Sequence, residues 1–156
     1  MGNSDGVLEA IRQGEDSWSR IQHDELDGLG GLATFTKLRG DYYAADALVE
    51  LPDQRALAVE YAERASAGYA NTATPDWAFG DAAGSNAALA RARIADGAVD
   101  GATEAIGPVL ELPVDQRING IIKCVSAVHR ELRTTDASEA NNLRAQIEAF
   151  TELPMR

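Results

Sequence analysis

The tripeptide Glu-Leu-Pro is written three times in this chain, at residues 50–52, 111–113 and 152–154. The first two copies run on into Asp-Gln-Arg, as Glu50-Leu51-Pro52-Asp53-Gln54-Arg55 and Glu111-Leu112-Pro113-Val114-Asp115-Gln116-Arg117. Proline has no amide hydrogen to give and its ring collides with the preceding turn, so a helix that reaches it ends. The leucine before it is a last apolar anchor. The aspartate after it can accept from the free amides of a new helix, whose positive end favours an acid. The strings therefore read as punctuation at equivalent points of a repeating helical hairpin, and such repetition predicts stacked helix pairs, an α-solenoid.

Apolar spacing fills in the helices between these marks. Val7, Ile11, Trp18 and Ile21 share one face of a first helix near 5–22, which the glycines at 28, 30 and 31 bring to an end. A second helix spans 37–51. A third, capped by Asp53, buries Leu57, Tyr61, Ala65 and Tyr69. After a loop at Asn71–Pro75, a fourth helix over 81–94 turns Ala83, Ala87, Ala90 and Ile94 inward and closes at Gly97. The fifth covers 99–112, where Pro108 predicts a kink or an early stop. Asp115 caps the sixth, whose stripe is Ile118, Ile121, Ile122, Val125, His129 and Leu132. Asp136 and Glu139 form a capping box for the seventh, which buries Leu143, Ile147 and Phe150. No stretch alternates with period two for long enough to be a strand. The expectation is an all-α chain of about seven helices in antiparallel hairpins, packed as a tetratricopeptide-like solenoid. Residues 1–25 would be an N-terminal helix and linker and 26–156 the repeat domain, in one compact unit. The 28 alanines suit helices that approach closely.

Charge narrows the partners. With 25 acidic and 14 basic residues the net charge is −11. Such a field repels the phosphate backbone that supplies most non-specific nucleic-acid affinity, and it repels anionic lipid as well. No apolar run approaches the length of a membrane span and no secretory leader pattern opens the sequence. Cys124 is the single cysteine, which excludes an internal disulfide and fits a cytoplasmic protein.

Leu89-Ala90, Gly97, Ala102, Ile106, Val109 and Pro113 follow the order of a tetratricopeptide repeat, with Asn86 and Arg93 at its aromatic positions. Five stretches add a narrower likeness: Gly30–Phe35, Tyr42–Asp53, Trp77–Ile94, Val99–Ile122 and Leu143–Phe150. In this order they resemble the C-terminal helical-repeat half of actinobacterial XRE-type helix-turn-helix transcriptional regulators, over roughly Leu26 to Phe150. The segment Ile94–Ala102 departs from that pattern, and no helix-turn-helix is read in the 156 residues. The resemblance implies a half that senses a small molecule or short peptide and self-associates as a homodimer, while DNA binding belongs to a different half. A stand-alone adaptor for another protein is the alternative.

Candidate residues emerge from that expectation. Tyr43 and the polar set Asn86, Arg91 and Arg93 would line the concave side, since a carboxamide can clamp a peptide backbone and an arginine a carboxylate. The competing expectation for both arginines is pairing with surface acids. Trp77, beside Pro75 in a loop, would rim a pocket. Leu143, Ile147 and Phe150 would suit a dimer surface. His23 with Asp24, Glu25 and Asp27 lacks the second histidine that a metal site would want, so no metal is expected. His129 reads as a boundary residue and Cys124 as a buried, inert thiol. No phosphate-binding loop, nucleophile elbow or zinc-protease motif occurs, and neither an enzyme nor a cofactor is expected.

Overall fold

A computed structural model describes residues 4–22, 35–135 and 138–152. These form seven helices and no strand: α1 (Ser4–Ser19), α2 (Lys37–Val49), α3 (Arg55–Tyr69), α4 (Phe79–Ala95), α5 (Val99–Leu110), α6 (Asn119–Leu132) and α7 (Ser138–Thr151). The chain is all-α, as the periodicity predicts. No described helix is long and apolar enough to cross a membrane.

Both described Glu-Leu-Pro strings end a helix, but the Asp-Gln pairs behind them depart from the expectation. Each pair lies in a single 3-10 turn, Pro52–Gln54 and Val114–Gln116, rather than at a helix cap. Neither Asp53 nor Asp115 caps the next helix through its side chain; those N-caps are Gln54 and Ile118, without a side-chain bond. Asp53 instead accepts from Ser4 Oγ at 3.1 Å and so ties the start of α1 to the α2–α3 turn. Arg117 has the clearer structural role. Its guanidinium donates to the Leu112 and Phe150 carbonyls and lies 4.3 Å from the centre of the Phe150 ring, locking the α5–α6 turn onto α7.

The extra turn also rotates α6. The helix begins at Asn119, so Ile118 is left half exposed and the buried face becomes Ile121, Val125, Val128 and Leu132. His129 sits at the edge of that face, its Nε2 3.1 Å from Glu148 of α7. Helix α5 runs through Pro108 and stops two residues later at Leu110. Gly97 closes α4 with φ +82°, the Ala98 amide reaching Arg93 O at 2.8 Å and the Gly97 amide reaching Ile94 O at 2.9 Å. That pair of bonds satisfies carbonyls that a helix end leaves free. The Asp136–Glu139 capping box, the His23 cluster and Leu153-Pro154 lie outside the described residues or side chains.

Helix α4 is central. It packs on α2, α3, α5 and α6, while α7 packs on α5 and α6, and α1 lies on α2. Four neighbours can approach one helix only where its side chains are small, and α4 buries Ala83, Gly84, Ser85, Ala87, Ala88, Ala90 and Ala92. At Gly84 a Cβ would come within 2.5 Å of the Tyr42 hydroxyl, so glycine is what lets α2 dock there. Leu143, Ile147 and Phe150 are buried against the rest of the chain. They belong to the core of the single chain and not to an open dimer surface: α7 is apolar on one face, and that face is already covered.

Candidate functional site

Helix α1 buries none of its residues completely. It lies against α2 and α3 along its Val7–Ile11–Trp18 stripe, and the contact leaves an open groove of about 780 Å³. That volume is in the range of small-molecule pockets. One wall is Val7, Ile11, Gly14 and Trp18 of α1; the facing wall is Asp41, Tyr43 and Ala44 of α2, with Ile21 and Phe35 at the end where α2 begins. Ile21, Phe35 and Tyr43 are 46%, 56% and 51% exposed, and Phe35 and Tyr43 lie with ring centres 6.0 Å apart. Three large apolar side chains left half in water around one opening are a departure from ordinary burial, and a concentration of this kind marks binding surfaces.

Glu15, Asp41 and Tyr61 on the groove wall are engaged with one another or with Arg64. Tyr61 donates its hydroxyl to Glu15 at 2.6 Å, tying α3 to α1. Arg64 donates to Asp41 at 3.0 Å, stands 3.8 Å from Glu15 and lies 4.1 Å from the centre of the Tyr61 ring. Burial pushes the Asp41 carboxyl above its ordinary range, and Arg64 offsets part of that rise. Tyr61 is likewise raised by burial and by its bond to Glu15. Lys37 lines the groove from the first turn of α2.

Of the five residues expected to bind a ligand, only Tyr43 faces this groove. Trp77 donates its indole N–H to Tyr69 O at 3.2 Å and packs beside Phe79, which fixes the α3–α4 connection. Asn86 accepts from Ser66 Oγ at 2.7 Å, holding α4 to α3. Arg93 donates to Gly101 O at 2.8 Å and pairs with Glu63 at 3.6 Å, so it braces α4 against α5 and α3. Arg91 is 5% exposed and gathers Asp46 at 2.7 Å, Glu50, and Glu131 at 3.2 Å, joining α4 to α2 and α6. These four residues have packing partners in place of a ligand, and the structure does not bring the five together. The groove's α1 wall is the stripe that reads, from the sequence, as core. Its one signal of a different role is Gly14, a small residue inside the apolar face where a core helix would carry a large one.

Among the described residues no group of three or more His, Cys, Asp or Glu side chains is placed to hold a metal ion. Cys124 is half-buried with the Tyr42 hydroxyl 3.9 Å from its sulfur, and burial raises its pKa, which lowers the thiolate fraction that reactivity requires. Comparison with protein-family models, curated proteins and solved structures finds no match to this chain.

Proposed function

We propose that the chain is a non-enzymatic sensing domain of a transcriptional regulator, a tetratricopeptide-like solenoid that binds a small molecule or short peptide in the groove between α1 and the α2–α3 hairpin. The groove carries the binding part of this reading: half-exposed Ile21, Phe35 and Tyr43 line one opening between α1 and α2. The solenoid reading is supported by the packing order. Consecutive helices pair as α2–α3, α4–α5 and α6–α7, and the first members of the pairs pack in a row, α2 on α4 and α4 on α6. The regulatory context is supported by the sequence resemblance alone. Helix α1 is held through half-buried side chains, so a ligand bridging it to α2 would bias its position, and that displacement is the signal an attached domain could read. Self-association, which the resemblance also implies, would use a surface other than the inward face of α7.

Thermal melts of the purified chain with fractionated small-molecule and short-peptide pools test the binding. A fraction supplying ligand at about a hundred times its Kd stabilises by about 2.7 kcal/mol. The same fraction should leave a Gly14→Leu variant unmoved. A Cβ at Gly14 meets nothing within 4 Å, so the backbone accepts a side chain there, and that of leucine would extend into the groove that Gly14 lines. Equal stabilisation of both proteins would put the ligand elsewhere.

A further inference from the structure

The groove has a chemical asymmetry that narrows its ligand. Ser4 of α1 meets Asp53 beyond the end of α2, and Ile21 and Phe35 lie together at the opposite end, so α1 runs antiparallel to α2. Val7, Ala10, Ala44 and Ala47 give the groove aliphatic lining. Trp18, Phe35 and the exposed Lys37 line it as well. Lys37 is one of two lysines in the chain. It stands exposed in the first turn of α2, whose positive end adds to its charge. Among the described residues the two acids lining the groove are engaged: Asp41 takes a hydrogen bond from Arg64, and Glu15 one from Tyr61 with Arg64 close by. Lys37 makes no ion pair with another described residue; its counterpart is the longer-range attraction of Asp41, one turn along α2. Lys37 is the one basic side chain among the described residues that line the groove, and so the charge an anionic head would meet there.

Resting on the groove reading above, we infer that the ligand is a small amphiphilic anion, with its apolar body along the α1–α2 walls and its carboxylate or equivalent head at Lys37. The volume of about 780 Å³ suits one such molecule and is small for a docked helix with its side chains. The net negative field does not oppose this, because salt screens charges beyond about 8 Å while the head sits against the lysine.

Calorimetric titration of the full chain with decanoate, 1-decanol and decyltrimethylammonium, each below its aggregation concentration, tests the inference. Decanoate should bind at least roughly tenfold more tightly than the alcohol, the scale of one charge-assisted contact. Lys37→Glu should remove that margin and leave 1-decanol binding unchanged, with the melting temperature showing that the variant folds. Equal binding of acid and alcohol, or preference for the quaternary amine, would overturn the anionic ligand while keeping the groove. Binding of all three that survives Gly14→Leu, or binding of none, would overturn the groove and the inference together.

Discussion

Arg91 gathers its acids from separate helices, with Asp46 on α2, Glu50 at the C-cap of α2 and Glu131 on α6, while its own side chain is buried on α4. The guanidinium is nearly out of water and its partners are partly in it, so the arrangement acts as a staple across three helices. Removing the cation leaves three converging carboxylates, and Arg91→Met is expected to destabilise by roughly 2 kcal/mol in urea melts, toward the low side for a broken buried pair because the acids remain hydrated. Ligand binding should survive, and loss of binding with stability intact would contradict the assignment. Asp41 gives a pH signature. Its folded pKa lies above the unfolded value because burial outweighs Arg64, so the folded chain keeps that proton to higher pH than the unfolded chain does. This contribution to stability is fully present below the unfolded value of 3.8 and is lost as pH rises through the folded value. Asp41→Asn should therefore remove that decline from urea melts taken at successive pH values from 3.8 upward. A decline of unchanged size would show that Asp41 is not its source.

Two glycines on helix faces separate an element that is tightly docked from one that is not. On α4, Gly84 meets the ring end of Tyr42, whose hydroxyl is itself beside Cys124. Gly84→Ala should destabilise by about 1–3 kcal/mol despite alanine's better helix propensity, because a rigid, packed ring must move. On α1, Gly14 faces open space, and Gly14→Ala should stabilise by about 0.5–1 kcal/mol. Denaturation midpoints moving in opposite directions would support both placements; a loss at Gly14 would mean that α1 is closer to α2 than the groove allows. Helix positions are legible in the sequence because Pro52, Pro113 and Gly97 act locally. The Asp-Gln pairs mislead for a related reason: a 3-10 turn and a helix cap use the same residues, and one added turn decides which face of α6, Ile118 or Val128, goes inward. The role of Asn86 is not legible, since its partner lies 20 residues away. That Arg91 and Arg93 pair with acids is the competing expectation of the sequence. Which acids is not legible, since those of Arg91 lie 40 to 45 residues away and Glu63, which pairs with Arg93, belongs to α3.

At the scale of the whole molecule, charge and shape point the same way. A net charge of −11 on 156 residues predicts that this chain alone leaves duplex DNA unbound at physiological salt. Fluorescence anisotropy of labelled DNA should stay flat on titration, and a salt-sensitive rise would contradict the division of labour proposed above. The core is drawn around α4, the outer helices are progressively less enclosed, and α1, least enclosed of all, borders the groove. Tryptophan reports on that arrangement directly, because Trp18 lines the groove while Trp77 is outside its lining and packs the α3–α4 connection. The most direct measurement is a titration of decanoate, or of a ligand fraction active in the thermal melts, followed in two single-tryptophan variants. With Trp77→Phe, the Trp18 emission should shift and saturate; with Trp18→Phe, the Trp77 emission should remain constant. A saturable response seen through Trp77 and absent from Trp18 would place binding on the α3–α4 side and contradict the groove.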